Sequence, residues 1–343
     1  MTDLLDLSFD LYSRHRLVQR VADCARHVHR KASLRVLDVG GYPCYTPRFL
    51  PDDHVVVADL VEPAPESPPT GYLRADGAAL PFRDGAFDVV VSLDSLEHVP
   101  AGRREDYVSE LLRCSADYVL LVAPFAQDET VLADRLLAEF ARVFDQEESP
   151  QLVEHQAYGL PKLEQWLDFV RARGAECISF SSGFVYNWLP MMLVKYYLVG
   201  LPDTLDLHHA LDRFYNTMLQ RSDARAPGYR QGILASKNGH TTVLGAMEQE
   251  LRAVDPPDRM EIIERMGQID LVLKLADLHV KWRRDEALRE DILAKSRHIE
   301  NLETLLQAER DRVGDLEGDL ASIQRGRVMR TLNALHRLVR RKP

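Results

Sequence analysis

Arg35-Val36-Leu37-Asp38-Val39-Gly40-Gly41-Tyr42-Pro43-Cys44 is the stretch whose reading decides the fold. Val36 to Val39 is a short apolar run carrying one carboxylate, and two glycines follow it. A buried parallel strand reads this way when it opens onto a ligand-binding turn. A ligand arriving there meets backbone amides, a helix N-terminus and the negative side chain of Asp38.

Working outward, the spacing of Leu17, Val21, Cys24 and Val28 predicts a helix over about residues 11–31, ahead of this strand. Further strands are expected at His54-Val55-Val56-Val57-Ala58, at Leu73-Arg74-Ala75-Asp76, over Phe87 to Ser92 and over Tyr118 to Ala123. Pro63, Pro65, Pro68 and Pro69 make a stiff loop between the second and third. Helical segments are expected at about residues 102–114, 129–144 and 162–173, with strands over Glu176 to Phe184 and Gly228 to Lys237. Between those last two strands, an aromatic- and Met-rich helical insertion occupies about residues 187–222. It would roof an acceptor pocket, pack on the core or mediate oligomer contact. Strands alternating with helices imply an α/β fold with a doubly wound, Rossmann-like parallel sheet of seven strands. Ligands of such sheets sit beyond the carboxyl ends of the strands, near the switch point. Asp38, Asp59, Asp76 and Asp94 all fall at or just past such ends. Capping of turns explains any one of them, but explains the set poorly.

Composition narrows the partners. A net charge of −10 argues against general nucleic-acid binding, which needs a basic face. Cys24, Cys44, Cys114 and Cys177 are widely separated, so free thiols in a reducing cytoplasm are expected. No metal-ligand spacing is visible, which argues against a cation-dependent catechol-type mechanism. The first ten residues hold three aspartates and no basic segment, so a signal peptide is not expected. No apolar run reaches the roughly 18 residues of a membrane span.

Which ligand the turn holds follows from charge. The dinucleotide fingerprint GxGxxG is absent, because Tyr42, Pro43 and Cys44 follow the glycine pair. Asp38 beside a pyrophosphate would also be repelled, by about 4 kcal/mol for charges about 4 Å apart at an effective dielectric of 20. A sulfonium and an ammonium reverse that sign. S-adenosylmethionine carries both and no phosphate. Asp59 suits its ribose hydroxyls, by the logic that serves a nucleotide ribose, and Asp76 its adenine amino group.

Val36-Leu37-Asp38-Val39-Gly40-Gly41, Val57-Ala58-Asp59, the run from Asp76 to Phe82 and the run from Phe87 to Val99 resemble the successive motifs of class I S-adenosylmethionine-dependent methyltransferases. The resemblance covers about residues 30–237. It implies that Asp38, Gly40 and Gly41 border the methionine moiety, Asp59 the ribose, and Asp76 with Gly77 the adenine. Leu93 and Asp94 would line the cofactor cleft. Tyr42 and Cys44 stand where that family usually has its second and third glycines. Gly41 is placed to compensate in part by letting the backbone approach closely. A hydroxyl acceptor gains from a base near neutral pH, and His98 and His155 are the candidates, His155 on an expected loop.

The remainder of the chain reads differently. A methyltransferase-like domain is expected over residues 1–240 and a helical connector over 241–285. In residues 286–324, Leu288, Ile292, Ile299, Leu302, Leu306, Val313, Leu316, Leu320 and Ile323 keep a 4-3 spacing. Lys295 and Glu309 interrupt it. A seam kept over about five heptads predicts a coiled coil and homo-oligomerisation. Residues 325–343 form a basic amphipathic tail, with Val328, Leu332, Leu335 and Val339 on one face. Such a tail suits peripheral contact with an anionic membrane. The whole layout is similar to bacterial methyltransferases of cell-surface polysaccharide assembly, which implies a saccharide or glycolipid hydroxyl as acceptor. A small-metabolite methyltransferase and a degenerate, non-catalytic scaffold stay open beside it.

Overall fold

In a computed structural model of the chain, Val36 and Leu37 of β1 (Arg35–Val39) are both fully buried and belong to different core clusters. That is the period of two of a strand covered on both faces. Residues 3–63, 70–143, 150–199, 201, 204–239, 241–252 and 259–339 are described. The prolines Pro65, Pro68 and Pro69, the break Asp255-Pro256-Pro257 and the last basic residues Arg340, Arg341 and Lys342 lie outside them.

β1 pairs in parallel with β2 (His54–Asp59) on one side and β4 (Phe87–Leu93) on the other. β3 (Tyr72–Arg74) extends the sheet beyond β2, and β5 (Ser115–Ala123) beyond β4. β7 (Gly228–Ser236) is inserted between β5 and β6 (Glu176–Phe184), giving the order β3-β2-β1-β4-β5-β7-β6. The seven-stranded Rossmann-like sheet is as expected, but it is mixed rather than wholly parallel, because β7 runs antiparallel to both neighbours. Alternation of strand and helix carries no strand direction. Here the chain re-enters the sheet from the end at which it left β6.

One face is covered by α1 (Phe9–His29) and α9 (Thr241–Arg252), the other by α3 (Arg104–Cys114) and α6 (Leu163–Ala172). Val243, Leu244, Met247 and Leu251 of α9 are buried against α1 and the sheet. The first unit therefore continues past residue 240, and α9 belongs to its core rather than to a connector. The short α2 (Thr46–Phe49) follows the β1 turn; α4 (Asp128–Val143) and α5 (Pro150–Tyr158) follow β5. The insertion forms α7 (Val185–Val199) and α8 (Leu205–Phe214), with a π-helical turn over Tyr215–Leu219. It docks on the start of α1, where Phe9 stacks on Tyr215 at 4.4 Å and Lys195 Nζ bonds Ser8 Oγ and Asp212 Oδ1.

The chain divides into two compact units, residues 1–271 and 272–343. Helix α10 (Arg259–Arg325) carries the expected seam, and each seam residue from Leu288 to Ile323 is 51–60% exposed. Helix α11 (Arg327–Val339) follows it, with Val328, Leu332 and Leu335 exposed. No helix among the described residues is long and apolar enough to cross a membrane.

Candidate functional site

The sheet reverses its order between β1 and β4, and their carboxyl ends open into a cavity of about 340 Å³. That is within the roughly 300–1,000 Å³ of small-molecule sites. Gly40, Tyr42, Leu93 and Asp94 contribute from the sheet end, Glu97, His98 and His155 from beyond it, and Trp188, Met192 and Tyr196 from the insertion. Of the roles left open for the insertion, the structure places it at this pocket.

At the turn, Gly40 has φ +81°, and a Cβ there would meet Ser95 Oγ at 2.1 Å. A Cβ on Gly41 would strike the Asp38 carboxylate at 2.2 Å, so this glycine lets the backbone pass over Asp38. Cys44 adopts φ +71°, a backbone conformation that favours glycine. The turn therefore keeps a glycine-like conformation without the glycine, at a cost of about 1–2 kcal/mol. Burial raises the Cys44 thiol to about 11, so it stays protonated at neutral pH.

Asp38 is fully buried. Its Oδ2 accepts from Thr46 Oγ1 at 2.5 Å, and its Oδ1 has no hydrogen-bond partner among the described residues. Burial raises its pKa to about 6, with the Thr46 hydrogen bond working against the shift. Asp59, ending β2, accepts the backbone N–H of Tyr42 and of Val61, each at 3.0 Å, and so ties the turn to the second strand. Asp76 accepts the N–H of Ala78 at 2.9 Å and pairs with Arg103 at 2.8 Å. These contacts hold its carboxyl below the usual range. Gly77 sits against the Tyr107 ring, 2.3 Å from where a Cβ would stand. The structure thus gathers Gly40, Leu93, Asp94, His98 and His155 on one cavity. Asp38 and Gly41 lie behind the turn, while Asp59, Asp76 and Gly77 are not on the cavity wall.

Asp94 has φ +46°, and Arg230 grips its carboxylate through Nε at 2.6 and 2.8 Å and Nη2 at 2.6 Å. Arg230 also reaches Asp10 at 2.8 and 2.9 Å, and Arg14 pairs with Asp94 at 2.8 Å. Trp188 Nε1 donates to Asp10 at 2.6 Å and its ring stacks on Tyr229 at 3.7 Å. Burial opposes ionisation of Asp10. The Arg230 and Arg14 charges more than offset it and hold the carboxyl well below the usual range. The sequence reading missed Asp10, Arg14 and Arg230. A charged residue inside the otherwise buried Gly228–Ser236 strand was the available signal.

His155 lies on helix α5, not on a loop as expected; a helix of nine residues carries too little periodicity to reveal it. Its Nδ1 is 2.9 Å from Asp134 Oδ2, and Tyr229 donates to Asp134 Oδ1 at 2.7 Å. Glu97 and His98 sit on a 3-10 turn, Leu96–His98, after β4. Burial lowers the His98 pKa, and the neighbouring His155 adds to the effect, so His98 is a neutral base at pH 7. Burial, reinforced by Asp94, raises the Glu97 carboxyl well above its ordinary value.

With this geometry in place, the comparisons fall on the same segment. Residues 53–121 match the family model described as a methyltransferase domain. Uncharacterized methyltransferases from Mycobacterium sp. strains KMS and MCS are each 35% identical over 117 residues, spanning 29% of this chain and 45% of each relative. The chain thus spans less than half the length of the curated relatives it matches. Among solved structures, the YcgJ protein of Bacillus subtilis is 16% identical, with a TM-score of 0.39 over 65% of this chain and 97% of that one. The plantazolicin methyltransferase BpumL, solved with SAH, is 13% identical, with a TM-score of 0.41 over 66% and 84%.

Arg230→Met leaves the buried Asp10 and Asp94 with Arg14 alone between them, and is expected to cost up to about 3–5 kcal/mol at pH 7. Asp10 has a folded pKa below its unfolded one, so its contribution is complete above about pH 4 and fades as pH falls below that. Urea denaturation of the two proteins should therefore converge in acid. A gap that persists unchanged at pH 3 would show that the ion network is not the cause.

Proposed function

We propose that the first unit is an S-adenosylmethionine-dependent methyltransferase acting on a hydroxyl group. The observation that carries this reading is Asp38 Oδ1, a buried acceptor without a partner, set behind a positive-φ glycine that leaves the cavity wall open. These residues fit the cofactor. Asp38 suits a cationic amino acid moiety, and Asp59 still offers free lone pairs after its two backbone contacts. Asp76 can serve the adenine by exchanging its half-exposed pairing with Arg103. When bound, S-adenosylmethionine supplies a methyl group on a positively charged sulfur. The chain supplies position: Leu93 and the insertion residues Trp188 and Tyr196 exclude water, while Glu97, His98 and His155 meet the acceptor oxygen and its proton.

Asp38 has a folded pKa of about 6 that a cationic ligand would lower. Binding of S-adenosylmethionine therefore releases a proton below about pH 6, and affinity should rise as pH increases through that value. Calorimetry across pH 5–8 reads this directly, and Asp38→Asn should weaken binding and flatten the profile. No binding at millimolar cofactor would leave the chain a non-catalytic scaffold.

For the acceptor we propose a saccharide or glycolipid. The reading rests on the layout, in which a long helix and a basic amphipathic one follow the domain. We read α10 as a coiled-coil strand, since its apolar seam is half exposed along its length. In sedimentation equilibrium the full chain should be oligomeric, and Leu302→Glu with Leu316→Glu monomeric; a monomeric wild type discards the coiled coil. We read α11 as a peripheral contact for anionic lipid on the cytoplasmic side of a membrane. Deletion of residues 325–343 should abolish co-sedimentation with phosphatidylserine vesicles, and equal sedimentation removes that role.

A further inference from the structure

Glu97, His98 and His155 each bring one ligand-capable atom within 4.8 Å of the others. Glu97 is 1% exposed, and its Oε2 has no hydrogen-bond partner among the described residues. A carboxyl removed from water without a donor either holds its proton or is met by a cation. Arg14 and Arg230 are committed to Asp10 and Asp94, and Arg104 donates to backbone carbonyls.

Each imidazole has a carboxylate beside its second nitrogen, hydrogen-bonded at His155 and in close contact at His98. Asp134 accepts, so His155 Nδ1–H donates to it, which in the neutral tautomer puts the lone pair on Nε2. Tyr229 in turn locks Asp134. His98 Nδ1 lies 2.5 Å from Glu154 Oε2, a close contact rather than an aligned hydrogen bond, and its Nε2 is 3.8 Å from Glu97 Oε1. A carboxylate on the second nitrogen is the arrangement that orients histidines bound to a metal. The two halves are held in register by Arg104, which is 6% exposed. It donates to the carbonyls of Glu97 at 3.0 Å, Val99 at 2.9 Å and Gly159 at 2.6 Å. One side chain thus joins the turn carrying Glu97 and His98 to the end of the helix carrying His155.

We propose that Glu97, His98 and His155 bind one divalent transition-metal ion, of the zinc, cobalt, manganese or ferrous class, at the wall of the cavity. Two imidazoles and a carboxylate suit these ions, whereas magnesium and calcium favour oxygen donors. Ligand atoms about 2.1 Å from a common ion lie about 3–3.4 Å apart, so side-chain rotations of about 1 Å close the site. Three protein ligands leave positions open toward the cavity. An acceptor hydroxyl bound there would lose its proton to solvent more readily, and its oxygen would be held for attack. That catalytic role rests on the function proposed above; the binding of the ion does not.

The test uses tag-free, chelator-treated full-length chain titrated with Co²⁺, followed by visible absorption and calorimetry. One Co²⁺ per chain is expected, displaced by Zn²⁺. Affinity should fall at least tenfold in Glu97→Gln and in His155→Asn, and about 10–100-fold in Asp134→Asn. Far-UV circular dichroism checks each fold; if a histidine variant unfolds, the near-isosteric Glu97→Gln carries the test. A folded wild type that binds no Co²⁺, or binding that Glu97→Gln leaves unchanged, overturns the proposal. S-adenosylmethionine binding is measured on the same samples. Metal binding without cofactor binding keeps the site and removes the methyltransferase reading; the reverse removes the ion and keeps that reading.

Discussion

The Arg230 guanidinium, buried between Asp10 and Asp94, is the interaction on which the site depends. It joins the N-terminal helix, the end of β4 and the antiparallel strand β7, three elements remote in sequence. Stripped of water, each of these charges is costly alone and stable only together. The network fixes where β4 ends, and the turn carrying Glu97 and His98 starts there. It also sets Trp188, bonded to Asp10 and stacked on Tyr229, as the inner face of the insertion.

A second constraint acts at the β1 turn. Asp38 is buried, Gly41 passes directly over it, and Gly40 and Cys44 both take left-handed backbone conformations. The strain is local and modest, and it leaves an open wall on the crevice at the switch point, with the unpartnered Asp38 oxygen behind the turn. Cys44 shows that conformation, rather than glycine itself, is what the turn requires.

Between these two constraints the cavity has distinct ends. The sheet side carries Gly40 and the Asp10 and Asp94 carboxylates, which are paired with Arg14 and Arg230. The far side is built from imidazoles and a buried carboxylate, which suits an oxygen acceptor or an ion. Arg104 and Asp134 belong to neither end, but they fix the orientation of the second through carbonyl and carboxylate contacts.

The sequence by itself determined the strand positions, the acids at their ends and the site of the turn, because these follow from local periodicity and backbone preference. The strand ends at Asp38, Gly40 and Asp94 were legible in that way; Leu93 was expected from the resemblance, and His98 and His155 from the need for a base. Tertiary structure alone decided the direction of β7, the inclusion of α9 in the core and the helical placement of His155. It also decided that Asp94 answers to Arg230 and that Glu97 stands beside two histidines from different segments. Periodicity reports which face of an element is buried. It does not report which distant charge is brought against that face, and burial makes such pairings decisive.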